Sequence, residues 1–176
     1  MGLVQFLTAF ETLKRDGSTK SVENLADALQ DSQDLTETLC PSIYARINSF
    51  FSFALCSPSG VALRSLALQL ISSLAENPLN RLILVARFSI LVPLANGIRL
   101  WQGDQIRSEV LQAFFKCTID LHQIYLVVND DVLIAGARQT VKLLQKSNED
   151  QFSEIALGTL ANFCRIPTVT QKNFEG

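Results

Sequence analysis

His122, four cysteines and the adjacent carboxylates Asp130 and Asp131 are the side chains in this chain whose types could do chemistry. Asp120 stands two residues before His122, the order in which a carboxylate can orient an imidazole. On a helix, however, residues two apart point to different faces, so the two cannot form a dyad. Cys40, Cys56, Cys117 and Cys164 are far apart, with no C-x-x-C pair, and one histidine cannot complete a zinc set at any standard spacing. Each cysteine lies among apolar neighbours on an expected helix, where a thiol behaves as a small buried hydrophobe. Asn129-Asp130-Asp131 reads as the start of a helix, its acids at the positive end of the dipole. No glycine-rich loop follows a strand, and no G-x-S-x-G occurs. The sequence therefore predicts a protein that is not an enzyme, with no catalytic residue, no cofactor and no metal.

What remains is the scaffold itself. Hydrophobic residues make up 48% and charged residues 18% of the 176, with mean hydropathy +0.22. Leu and Ala dominate, prolines sit at plausible helix ends, and no alternating β-branched run reaches strand length. The fold expected is all-α. The longest charge-free window, residues 47–63, breaks at Ser57-Pro58-Ser59-Gly60, short of the roughly 20 apolar residues that a spanning helix needs. The N-terminus has no positive region of a signal peptide and lacks the Ser/Thr of a myristoylation site. A soluble protein of the cytoplasm, the nucleus or both is expected, with no membrane partner. The formal net charge of −2 hides six acids against Lys20 in residues 16–37 and six bases against three acids in residues 61–116. No Lys/Arg run is dense enough for nucleic acid.

Apolar periodicity and punctuation place helices at Leu3 to Lys14, Ser21 to Gln30, Pro41 to Leu55, from the Ser57-Pro58-Ser59-Gly60 break through Ala75, Pro78 to Arg87 and Ile90 to Trp101. Further helices follow at Asp104 to Thr118, Asp120 to Val127, Val132 to Lys146 and from Ser147-Asn148-Glu149-Asp150 to before Pro167. Ser18, Thr19 or Ser21 is expected to cap the second of these, and Ser57 or Ser59 the fourth. Leu66, Leu70, Leu74, Ile83, Leu94, Leu111, Leu143, Leu157 and Leu160 form the expected core, joined by Phe50, Phe51, Phe53, Phe114 and Phe115. The grammar of residues 66–100 returns after about 43 residues, and Leu157-Gly158-Thr159-Leu160-Ala161-Asn162-Phe163-Cys164 echoes Leu68 to Ala75. Connections are short throughout. The chain reads as one module, residues 1–57 being N-terminal capping helices and 58–176 about two and a half repeats, at the front of a longer protein.

Leu70-Ile71-Ser72-Ser73-Leu74-Ala75-Glu76-Asn77-Pro78-Leu79-Asn80-Arg81 resembles the third helix, N-P-x-N-R turn and following first helix of armadillo repeats, and Leu160 to Cys164 is similar to the same third helix. Phe88 stands where the glycine between first and second helices is usual, and Leu91 where a proline follows, which is closer to HEAT repeats. The run Leu157 to Arg165 and the helix schedule also resemble the armadillo heads of phosphatase-inhibiting scaffolds that continue into a coiled coil. The resemblance implies a right-handed α-solenoid of armadillo/HEAT-like repeats. Importin-like members grip peptides with third-helix asparagines, each backed by a tryptophan. Asn162 matches such an asparagine, but Ser73 and Lys116 stand at the equivalent positions, Gly158 replaces the tryptophan, and Trp101 lies elsewhere.

A stack of this kind presents a long surface to partners. The function expected is a protein–protein interaction scaffold that binds a peptide or helix of another protein on its concave face. Third-helix positions Gln69, Ser73, Gln112, Lys116, Asn162 and Arg165 are the candidate partner-binding residues, spaced by three or four within each pair. A structural module that self-associates as a homo-oligomer is the alternative.

Overall fold

The computed structural model describes residues 2–32, 35–56, 60–101, 103–146, 150–167 and 169, and every regular element among them is helical. The N-terminal pair is α1 (Gly2–Asp16) and α2 (Thr19–Gln30), which pack on each other. Gly17, at φ +62, ends α1 in the left-handed conformation that glycine adopts without a Cβ penalty. Ser18 caps α2 by accepting from the Ser21 N–H at 3.2 Å. The Ser21 hydroxyl and Ser18 N–H both donate to the Asp16 carboxylate, which holds that carboxyl below its ordinary range.

Pro41–Ile43 forms a turn of 3-10 helix that leads into α3 (Tyr44–Cys56), proline suiting a first turn whose N–H has no partner. Next come α4 (Val61–Leu74) and α5 (Pro78–Leu82), the latter continuing as a π-helical turn, Ile83–Arg87. The chain then forms α6 (Leu91–Leu100), α7 (Asp104–Thr118), the short α8 (Leu121–Ile124) with a 3-10 turn, α9 (Asp130–Lys146) and α10 (Asp150–Cys164). Asn129 caps α9 through the Asp131 N–H at 2.8 Å. The expected caps Ser57 and Ser59, and the expected start at Ser147-Asn148-Glu149, lie outside the described residues. α7 begins after Gly103, whose φ of +107 turns the chain out of α6.

Leu66, Leu70, Leu74, Leu94 and Leu111 are buried, Ile83 and Leu160 are half-buried, and Leu143 has no described side chain. Leu157 corrects the expectation: it is 56% exposed. Aromatic edges hold the N-terminal part together, with Phe6 and Phe10 meeting Phe50 at 4.9 and 5.1 Å. Phe114 and Phe163 pack at 5.8 Å over Gly136, where a Cβ would come within 2.9 Å of both rings. Phe53 and Phe115 are only half-buried. The cysteines also divide: Cys117 is buried, but Cys40 and Cys164 are exposed, and Cys40 precedes a 3-10 turn rather than lying on a long helix. No single helix among the described residues is long and apolar enough to cross a membrane.

Candidate interaction surface

α4, α7 and α10 lie side by side, α7 between the other two, while α6 packs on α7 and α9, and α9 on α10. Each of the three carries an apolar side toward the remaining helices and a polar or half-exposed stripe on the other. Polar side chains link the stripes. Ser65 on α4 donates to Glu109 on α7 at 2.8 Å, and Gln69 and Gln105 bond to this pair at 3.2 Å each. Lys116 on α7 pairs with Glu76 just beyond α4 and reaches the Ser72 carbonyl at 3.5 Å. Asn162 on α10 donates to Thr118 on α7 at 3.2 Å. Ser65–Glu109, Ser72–Lys116 and Thr118–Asn162 are each separated by 44 residues.

The six candidate partner-binding residues therefore fall on three adjacent helices, with different duties. Gln69, Gln112 and Arg165 are exposed, and Ser73 is half-buried. The side chains of Ser73, Gln112 and Arg165 have no hydrogen-bond partner among the described residues. Lys116 and Asn162 instead donate to the preceding helix of the three. Glu76 and Thr118 complete those links and Glu109 receives Ser65, and none of the three stands out in the sequence.

The Asn77-Pro78-Leu79-Asn80-Arg81 turn is a second polar centre. Asn77 caps α5 through the Leu79 N–H at 2.9 Å and donates to the Thr36 carbonyl at 2.8 Å. Arg81 donates to Asp120, at 2.8 Å from Nε, and to the Ala75 carbonyl at 2.8 Å. Arg81 so ties the end of α4 to the beginning of α8.

Arg64 lies over the Trp101 ring at 5.5 Å, and Trp101 in turn covers Gly97. Among the described residues, Arg64 Nε, Glu109 Oε2 and His122 Nδ1 are buried atoms without a hydrogen-bond partner. His122 and Asp120 do not bond to each other; Asp120 faces Arg81. Burial pushes the Cys117 thiol up to about 12, against a smaller opposing pull from Arg81 and Lys116. Such a thiol is no nucleophile at neutral pH. Among the described residues no three His, Cys, Asp or Glu side chains come together as a metal set. A small open cleft lies between Val85, Ala86, Ser89 and Val92 on one side and Val128, Asn129 and Val132 on the other.

No family model matches the chain, and no curated protein or solved structure is significantly similar to it.

Proposed function

We propose that the chain is a non-enzymatic protein–protein interaction scaffold, an α-solenoid of armadillo/HEAT-like repeats that holds a peptide or helix of a partner across α4, α7 and α10. The observation that carries this reading is the recurrence of the 44-residue side-chain links between successive helices. Two such links join α4 to α7 and one joins α7 to α10, a spacing that falls within the period of about 40–47 residues of armadillo and HEAT repeats and supports this reading. Such a stack offers groups on a rigid frame, so a partner loses little ordering entropy in meeting them. Lys116 and Asn162 hold the frame, and Gln69, Gln112, Ser73 and Arg165 face the partner. An amide there can exchange two hydrogen bonds with an extended peptide backbone, and a guanidinium can hold a carboxylate.

The test is selection of binding peptides from a displayed random library, followed by calorimetric affinities for the wild type and for Gln69→Ala/Gln112→Ala. Loss of at least about tenfold in affinity, with unchanged thermal stability, is the expected result. Equal affinity of the selected peptides for both proteins overturns the assignment of the surface.

A further inference from the structure

α6 and α9 pack on each other, and the small cleft beside Ser89 lies at the start of both, so the two helices leave it in the same direction. Val92 of α6 and Val132 of α9 line the cleft from its two sides. Residues seven apart lie on one side of a helix, two turns on. From Val92 that step reaches Arg99, and from Val132 it reaches Gln139; Ala135 and Lys142 of α9 are separated by the same step. Val92, Arg99, Ala135 and Lys142 are exposed, and Val132 and Gln139 are half-buried. A groove therefore runs from the cleft between α6 and α9, apolar where it starts and basic about 10–15 Å further on. Neither Arg99 nor Lys142 forms an ion pair among the described residues. At the cleft end the exposed charge is Asp131 instead. The cleft has a volume of about 70 Å³. That is around half the ~150 Å³ that accepts benzene in an engineered cavity, so it suits a side chain the size of valine or leucine and not a ring. One wall is the π-helical turn Ile83–Arg87 with Ser89 at φ +51, and backbone departures of this kind gather where a chain binds something.

We propose that this groove receives an amphipathic, acidic helix of another protein. An aliphatic side chain of that helix sits in the cleft, and a carboxylate about seven residues away on the same face meets Arg99. Lys142, a turn further along, takes a second carboxylate. The occupant is a helix because the backbone groups of α6 and α9 are spent within their own helices. An extended chain would find no main-chain partners there, whereas a helix satisfies its own backbone and needs only side-chain contacts. Small Ala135 leaves room for its approach. Asp131 disfavours the reverse arrangement, an acid beside the aliphatic anchor, so charge sets the direction of the bound helix as well as its affinity. Different helices form this surface from those that carry the polar stripe of α4, α7 and α10, and the two can be occupied independently.

The test is selection, against the whole chain, from a displayed library of helical peptides of about 20 residues randomised along one face. Enriched sequences are expected to carry Val, Ile or Leu with Asp or Glu about seven residues away. Their affinity, read by fluorescence anisotropy, falls at least about tenfold with Val92→Asp and with Arg99→Glu/Lys142→Glu, and declines as salt is raised. All three positions are exposed, and Val92 stands in the first turn of α6, where an aspartate suits the helix dipole, so the thermal melt stays unaltered. Gln69→Ala/Gln112→Ala leaves the affinity within about twofold of the wild type, as expected for distant sites. Absence of the aliphatic–acid pattern, peptides indifferent to either groove variant, or binding lost with Gln69→Ala/Gln112→Ala would each overturn the proposal.

Discussion

Asn80 and Leu39, 41 residues apart, are joined inside the protein: the Asn80 carboxamide oxygen accepts from the Leu39 N–H at 2.8 Å. Its nitrogen donates to the Glu37 carbonyl at 2.7 Å, and the side chain is fully buried. Residues 35–40 form no helix of their own, so their backbone groups need partners from elsewhere. A carboxamide supplies a donor and an acceptor from one planar group, which explains asparagine at this place. The polar turn after α4 thereby anchors the lead-in to α3.

Asn80→Leu should accordingly lower stability by about 2–4 kcal/mol, because a donor and an acceptor are left buried and unpaired. Equilibrium unfolding in urea measures it. A loss below about 0.5 kcal/mol would show that water replaces the side chain.

Arg81 and Asp120 make the second prediction. The guanidinium serves Asp120 and the Ala75 carbonyl at once, and the side chains are only 11% and 27% exposed. Lysine cannot span both acceptors, so Arg81→Lys is expected to cost about 1–3 kcal/mol. A double-mutant cycle with Arg81→Met and Asp120→Asn should give a coupling of about 1–2 kcal/mol. Additive single effects would contradict the contact.

How far the sequence foretold this arrangement differs from residue to residue. Asn77-Pro78 announces a helix end by its own chemistry, and Leu70 and Leu74 announce a buried stripe by their spacing. Leu157 shares its local pattern with Leu68 yet is exposed, because periodicity reports which side of a helix is apolar and not whether a neighbour covers it. Cys164 misled for the same reason, whereas Cys40 misled because it lies ahead of a 3-10 turn and on no helix. At the candidate surface, Lys116 and Asn162 fall on the expected helices. Their engagement by Glu76 and Thr118, 40 and 44 residues away, was not legible, since spacing fixes a face but not a distance across helices. Asp120 likewise reads as a helix-start residue and turns out to hold Arg81.

Ser89 supports a third prediction. Its φ is +51, left-handed for a residue with a Cβ, just after the π-helical turn and Phe88. Phe88 fills the space beside Tyr44 and Phe51 at 5.6 and 6.3 Å, so the conformation expected of glycine passes to the next residue. Left-handed backbone costs a side-chain-bearing residue roughly 1–2 kcal/mol, and glycine's greater freedom in the unfolded chain offsets about 0.5–1 of it. Ser89→Gly should raise stability by about 0.5–1 kcal/mol in thermal or urea unfolding. A drop in stability would mean that the serine side chain contributes more than the strain.

Cys117 provides a prediction in pH. Its thiol is 1% exposed, and burial raises it from an ordinary value of 9 to about 12. A group whose folded value is raised contributes stability that is full below the unfolded value and is lost as pH climbs toward the folded one. Between pH 9 and 12 the unfolded chain releases this proton while the folded chain keeps it, so unfolding becomes easier by up to about 1.4 kcal/mol per unit. Other groups titrate in that range too, so the informative quantity is the difference between wild type and Cys117→Ala. At pH 7 the alanine variant should be less stable by about 1 kcal/mol, from the lost sulfur packing. That gap should shrink above pH 9 and reverse near pH 10, because only the wild type carries the buried thiol. Iodoacetamide gives an independent reading: exposed Cys40, whose thiol the Ser42 hydrogen bonds pull downward, is modified in the native protein, and Cys117 only as fast as the chain opens. A stability gap that stays constant from pH 7 to 10.5, or alkylation of Cys117 as fast as Cys40, would place this thiol outside the core.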